Sequence, residues 1–363
     1  VSDARRARAV VARLEAWFAR AARDLPWRTT PRDPYVSFVA EAMLQQTQAQ
    51  RVAERLPAFL ARFPTFAALA QASDDEALAA WSGLGYYSRA LRLRDAARVV
   101  VEQHGGALPA EKTALRALPG VGAYTAGALL SMVHNQRTPL VDANVERVLA
   151  RLENWPWPRA SAELRAAAWL RAEELVAAAQ SPAACNEGLM ELGAVHCLPR
   201  TPLCQGCPLA SLCRARREGC AQSVPARASR PARRRVERHL CLLLRDGRGR
   251  WLVERRAAGG LWAGMWQPPT IQAAPGLAER RALERCAPAA ALRRLGAFTH
   301  HTTSCAVRFS LWTAPPPAVE RVASQWKGDC RRVGPRQLQR LALASPHRRA
   351  FELAGALPAQ RRP

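Results

Sequence analysis

Lysine is nearly absent from this chain. Lys112 and Lys327 are the only two among 54 basic residues, and arginine supplies the remainder. No run of about eighteen apolar residues occurs, so no segment reads as a membrane-spanning helix. The start, VSDARRARAV, lacks the apolar core of a secretory leader. There is no internal repeat. A soluble cytoplasmic protein is expected, and with it reduced thiols rather than disulfides. Acidic residues are also scarce: 29 Asp and Glu leave a formal net charge of +25.

That excess concentrates polyanions and makes binding salt-sensitive, so nucleic acid is the leading partner class. A chain rich in Ala, Arg and Pro explains why arginine replaces lysine, but not why bases outnumber acids. At 363 residues, two domains joined by a linker are expected.

Up to about Arg217 the apolar residues recur at helical spacing, as in Val10 to Ala21, Val52 to Phe63, Ala90 to Val101 and Leu164 to Ala178. Asp33-Pro34 and Ser73-Asp74-Asp75 read as helix starts and Gly105-Gly106 as a stop. The Pro-, Ser- and Arg-rich stretch 218–236 reads as a basic linker. Beyond it, His239 to Leu244, the turn 246–249 and Arg250 to Arg255 predict a hairpin. A helix over Gly276 to Cys286 and strands over Leu295 to His300 and Ala306 to Trp312 complete an α+β domain.

Cysteine is concentrated in one place. Cys197, Cys204, Cys207 and Cys213 are separated by six, two and five residues, whereas Cys185, Cys220, Cys241, Cys286, Cys305 and Cys330 show no regular spacing. Four thiolates in so short a loop repel one another and need a shared cation, so a tetrahedral metal or an iron–sulfur cluster is implied. Zinc usually takes paired C-x2-C knuckles, and this run holds a single such pair with asymmetric flanks. A [4Fe–4S] cluster is therefore favoured over zinc.

Leu115 to Leu130, LRALPGVGAYTAGALL, reads as helix, turn and helix. Gly120 and Gly122, flanking Val121, let the turn's amides point outward at the start of the second helix, a non-sequence-specific grip on a DNA phosphate. An ordinary helix–helix turn has the same composition; the four-cysteine loop about 75 residues downstream makes coincidence a poor explanation.

EAMLQQTQ (41–48), GLGYYSRA (83–90), LPGVGAYTAGA (118–128), VDANVERVLAR (141–151), MELGAVHC (190–197) and GLWAGMWQPP (260–269), in that order, resemble the helix-hairpin-helix iron–sulfur DNA glycosylases, most of all the adenine DNA glycosylases of the MutY type. The resemblance covers nearly the whole chain. It implies a mainly helical region over 1–217, with a six-helix barrel module at about 28–134 and a [4Fe–4S] module from 1–27 and 135–217. A Nudix-like α+β domain follows over 237–363. The implied activity is removal of adenine mispaired with 8-oxoguanine or guanine in duplex DNA, by a monomer in a bacterial cytosol or nucleoid.

Breaking an N-glycosidic bond to adenine takes a proton donor at the base and a negative charge beside the developing sugar cation. Glu41, set in the apolar run FVAEAML, fits the donor, because desolvation raises its pKa. Asp142, just before a helix, fits the anion, held by amide donors. Tyr124 and Asn144 support the pair by hydrogen bonding, as the family motifs imply. The plainer readings are an arginine-paired Glu41 and an Asp142 that only caps its helix. Bifunctional relatives carry a Schiff-base lysine where this chain has Tyr124, and position 146 is Glu146, so an intact abasic product is expected.

Gln45, Gln46 and Thr47 offer polar groups to base edges, and Leu84, Tyr86 and Tyr87 offer wedges. The resemblance assigns Gln46, Thr47, Leu84 and Tyr86 to the region around 8-oxoguanine, and a core position serves Tyr87 as well. The family's Phe-Ser-His motif has two registers here, Phe298-Thr299-His300 or Thr302-Thr303-Ser304, and Thr303 is taken as the serine-like hydroxyl. Glu279 and Glu284 lack the REXXEE pattern, so metal-dependent pyrophosphate hydrolysis is not expected. Alternatives are an endonuclease III-like pyrimidine-lesion glycosylase/lyase and a non-catalytic iron–sulfur DNA-damage binding module.

Overall fold

The computed structural model describes residues 3–227, 235–257, 259–274, 277–284, 292–326 and 328–359. The chain forms two compact units: Val1–Ala70 with Arg92–Arg230, and Gln71–Leu91 with Pro231–Pro363. Residues 228–234 of the expected basic linker lie outside the described residues.

The helices begin with α1 (Asp3–Ala21), α2 (Pro34–Leu44), α3 (Ala49–Arg62) and α4 (Phe66–Ala70). The short α5 (Asp74–Ala80) and the first residues of α6 (Ser88–His104) belong to the second unit. Then come α7 (Lys112–Ala117), α8 (Ala123–Met132), α9 (Ala143–Glu153), α10 (Ala162–Ala177), α11 (Pro182–Val195) and α12 (Arg214–Arg217). The caps read from sequence are present. Asp33 accepts from the Val36 amide ahead of α2, and Ser73 forms a reciprocal capping box with Glu76 on α5.

One apolar core joins the N-terminal helix to the later part of the first unit. Val10, Val11, Leu14 and Trp17 of α1 pack with Val145, Leu149 and Leu152 of α9, Leu175 and Val176 of α10, and Leu189 and Leu192 of α11. At about 1.5–3 kcal/mol for each large apolar side chain buried, this cluster fixes α9 and α11 against each other. Those two helices carry much of the site described below.

The second unit contains β1 (Arg235–Leu242), β2 (Trp251–Arg255), β3 (Trp266–Gln267), β4 (Thr270–Ala273), β5 (Arg293–His301), β6 (Cys305–Thr313) and β7 (Asp329–Val333). They make a four-stranded sheet, β4-β1-β6-β5, and a three-stranded sheet, β3-β2-β7. Its later helices are α13 (Glu279–Leu283), α14 (Pro316–Gln325), α15 (Pro335–Arg340) and α16 (Ser345–Leu353). Gly276 and Cys286, the expected ends of the α13 region, lie outside the described residues.

The expected hairpin over 239–255 is only half realised. Its turn closes through Asp246 N to Arg250 O at 2.9 Å and Leu252 N to Leu244 O at 3.0 Å. The strands then separate into different sheets, because both edges of β1 are already filled: it runs parallel to β6 from Arg235–Cys305 to Leu242–Trp312 and antiparallel to β4.

Side chains tie the 71–91 segment to the smaller sheet. The Trp266 indole donates to Asp75 Oδ1 at 3.0 Å, and the Arg331 guanidinium lies 3.7 Å from the Trp266 ring centroid. Arg255 comes within 3.6 Å of Asp74.

Candidate active site and four-cysteine loop

Glu41 sits on α2 among Phe38, Val39, Ala40 and Met43, all at most 2% exposed, and is itself 4% exposed. Its Oε2 has no hydrogen-bond partner. Burial pushes its pKa up to about 7; hydrogen bonding to Tyr124 opposes this, the Glu187 and Asp142 charges add to it, and Arg32 opposes it. The arginine-paired alternative is therefore not what the fold contains: Arg32 pairs with Glu187 instead, at 2.6 Å.

Asp142 is the N-cap of α9. Its Oδ1 accepts from the amides of Asn144 at 2.9 Å and Val145 at 2.7 Å, and its Oδ2 from Asn144 Nδ2 at 3.1 Å. Asn144 in turn accepts from Arg147 at 3.0 Å, and Arg147 donates to Gly193 O and Cys197 O. Gly193 is required where α11 crosses the start of α9, because a Cβ there would lie 2.7 Å from Asn144 Cβ.

Tyr124 lies on α8, directly after the glycine-bounded turn. Burial and the charges of Glu41 and Asp142 hold its hydroxyl well above the usual tyrosine range. In the turn, Gly120 has φ +81°, with Arg92 Cβ only 3.1 Å from any added Cβ. Val121 is buried and its amide closes the turn onto Leu118 O at 3.1 Å. Gly122 caps α8, and the space a side chain would occupy there is open.

Glu41, Tyr124, Asp142 and Asn144 line one cavity of about 820 Å³ together with Gln45, Gln46 and Thr47. Gln46 adopts φ 59° and is exposed, while Gln45 donates to Thr125 Oγ1 at 3.3 Å. No lysine lies among the residues lining this cavity.

The same wall holds residues that sequence reasoning missed. Arg23 and Arg28 line the cavity opposite Glu187 and Glu191 of α11. Arg23 Nε reaches Glu191 at 2.6 Å, and Arg28 bridges Glu187 and Glu191 at 3.0 Å each. The available signal was two glutamates four apart on one helix facing an arginine-rich segment ahead of α2.

Leu84, Tyr86, Tyr87 and Thr303 lie in the second unit. Leu84 and Tyr87 are buried, at 6% and 5% exposure, whereas Tyr86 stands at 41% with φ 45°. Of the three candidate wedges, Tyr86 is the exposed one. Phe298 stacks on Phe309 at 4.8 Å within the sheet, so 298–300 is regular strand, while 302–304 form the turn between β5 and β6 with Thr303 exposed. Glu279 accepts from Ser310 Oγ at 2.7 Å and lies 3.7 Å from Arg238.

The nine described cysteines are all free thiols. Cys197, Cys204, Cys207 and Cys213 line a separate apolar cavity of about 30 Å³. Burial, with the neighbouring thiols adding to it, pushes Cys207 up to about 11 and raises Cys213. Arg151 of α9 donates to Cys197 Sγ at 3.4 Å and to Leu198 O at 2.7 Å. Among the described residues no group of three or more His, Cys, Asp or Glu side chains is arranged to hold a metal ion. Four soft sulfur donors lining one small space, with Arg151 beside one of them, are a donor set suited to zinc or to an iron–sulfur cluster.

Residues 39–173 match the HhH-GPD superfamily base excision DNA repair proteins, and 240–353 match the NUDIX domain. The chain is 36% identical to an adenine DNA glycosylase of Homo sapiens, covering 79% of this chain and 63% of that protein. It is 39% identical to an adenine DNA glycosylase of Mycolicibacterium smegmatis, covering 64% of this chain and 79% of that protein. A thermostable thymine-DNA glycosylase superposes on 59% of this chain and 98% of its own, with TM-score 0.53 and 30% identity. An endonuclease III–DNA complex shares the fold over 60% of this chain and 99% of its own, with TM-score 0.51 and 21% identity. The chain spans 63% and 60% of the human and rat relatives' lengths. With a helical HhH-GPD region, a Nudix-like C-terminal domain and these relatives, the chain belongs to the adenine DNA glycosylase family of the HhH-GPD superfamily.

Proposed function

We propose that this chain is a monofunctional glycosylase hydrolysing the N-glycosidic bond of adenine paired with 8-oxoguanine or guanine in duplex DNA. The observation that carries this reading is Glu41, a carboxyl that burial poises to hold its proton near neutrality, on the same cavity as Asp142.

An everted adenine in the cavity receives the Glu41 proton at N7 as the bond to C1′ breaks. The Asp142 carboxylate, fixed by three N–H donors, faces the resulting oxocarbenium ion. Water adds to C1′ and returns a proton to Glu41, leaving free adenine and an abasic site. Tyr124 and Asn144 orient the two carboxyl groups. The lysine-free cavity lining supports hydrolysis without a Schiff base.

Cys197, Cys204, Cys207 and Cys213 would hold a [4Fe–4S] cluster that supplies a structural staple. Gly120, Val121 and Gly122 would grip a phosphate. Gln45, Gln46, Thr47, Leu84, Tyr86 and Thr303 would read the mispair. The module limits given above, monomeric action and a bacterial cytosolic location belong to the same reading; no helix among the described residues is long and apolar enough to cross a membrane. The test is incubation with end-labelled duplexes carrying A opposite 8-oxoguanine, A opposite guanine, or thymine glycol. Alkali-dependent cleavage at adenine is expected, and cleavage without alkali, or only at thymine glycol, overturns the reading.

A further inference from the structure

Arg32 is not among the residues that line the cavity, yet it is built into the cavity's wall. Its Nη1 donates to Trp27 O at 2.9 Å and its Nη2 to Glu187 Oε2 at 2.6 Å. One guanidinium thereby clips the segment ahead of α2, whose Trp27 lines the cavity, to α11, whose Glu187 lines it too. The surrounding ion pairs give its charge a second consequence. Arg23, Arg28 and Arg32 face Glu187 and Glu191, three cations against two anions. Without Arg32, Glu187 keeps only Arg28, which it shares with Glu191, and the set becomes neutral.

We propose that Arg32 is a positioning residue of the base pocket: its fork holds Glu187 and the Trp27 wall in place, and its charge acts on the cavity that Glu41 lines. Burial acts most strongly on Glu41, and four groups act on it besides: Tyr124 on α8, Glu187 on α11, Asp142 at the start of α9 and Arg32 ahead of α2. Arg32 is the one cation of the four. It opposes the Glu187 and Asp142 carboxylates that favour the protonated acid.

The proposal rests on Glu41 acting as the acid, and its test separates the two. Single-turnover adenine release by the 363-residue chain from an A:8-oxoguanine duplex is measured between about pH 5.5 and 9, for wild type, Arg32→Gln, Arg32→Lys and Glu187→Gln. Arg32→Gln moves the alkaline limb to higher pH by about half a unit or more. Glu187→Gln moves it to lower pH, because a carboxylate rather than a cation is lost. Arg32→Lys leaves the limb at the wild-type position with a lower maximal rate, since an ammonium keeps the charge but not the fork that spans Trp27 O and Glu187. A rate lowered by one factor at every pH in Arg32→Gln, with no displacement of the limb, overturns the proposal and leaves Arg32 a structural clip. Should Arg32→Gln not fold, Glu187→Gln and Arg32→Lys still decide it: a Glu187→Gln limb that stays put or rises, or an Arg32→Lys limb that moves, overturns it. Wild-type protein that releases no adenine overturns the glycosylase reading itself, and this one with it.

Discussion

The Tyr86 hydroxyl donates to Thr303 Oγ1 at 2.8 Å, joining the exposed tyrosine after Gly85 to the turn between β5 and β6. Both residues are expected to face the base opposite adenine, and in the free protein each occupies the other's hydroxyl. Thr303→Ala is expected to change stability by less than about 1 kcal/mol, since both partners are exposed. The ratio of single-turnover rates on A:8-oxoguanine and A:guanine duplexes is expected to fall several-fold. An unchanged ratio removes Thr303 from lesion reading.

Glu41 supplies a pH signature. With its pKa raised to about 7, base release is expected to decline as pH rises through that value, since the acid must be protonated. Asp142→Asn is expected to lower the rate by at least about 100-fold without loss of duplex binding. Rates and gel-shift affinities on the same preparations check both statements.

The same carboxyl costs stability at alkaline pH. Its folded-state pKa is above the unfolded value of 4.5, so the native state binds the extra proton between 4.5 and about 7, and stability falls across that window. Glu41→Gln cannot ionise. It is expected to be inactive yet more stable than wild type at pH 8 by roughly 1–3 kcal/mol, with the difference shrinking towards pH 5. Denaturant midpoints at the two pH values measure this.

Gly193→Ala tests the site from outside it. The new Cβ would sit 2.7 Å from Asn144 Cβ and must displace the start of α9, where Asp142 is held. A displacement of about 1 Å is expected to cost around 100-fold in rate. Gly122→Ala, with open space at its Cβ, is expected to leave base release nearly intact while weakening duplex binding if the added methyl meets the phosphate.

The four-cysteine loop predicts a coloured protein. Cys207→Ser is expected to lower bound iron and sulfide and to reduce the melting temperature, because the loop's thiols then have nothing to gather around. Iron and sulfide assays with a thermal melt suffice, and zinc in place of iron in the wild type would replace the cluster by a single ion.

What was legible in the sequence was mostly local. Asp33 and Ser73 announced their helices because a cap needs only the next few residues, and Glu41 and Asp142 stood out because their neighbours already stated burial in one case and capping in the other. The Arg23, Arg28 and Arg32 pairs with Glu187 and Glu191 were not legible, since each spans 155 to 168 residues of ordinary surface-type side chains. The burial of Leu84 was hidden for a related reason, because its glycine-flanked loop reads as exposed. The 239–255 hairpin misled because apolar runs on either side of a turn mark strands but not which neighbours will fill their edges.

The hydrogen bond between Trp266 and Asp75 joins residues 191 positions apart, and the 71–91 stretch has its contacts with strands near the far end of the chain. During synthesis that early stretch leaves the ribosome long before β2, β3 and β7 exist. Its Asp74 and Asp75 must wait in water for Arg255, Trp266 and Arg331. A protein cut between its halves would leave Asp74 and Asp75 on the front piece without Arg255, Trp266 and Arg331, whose strands went with the other.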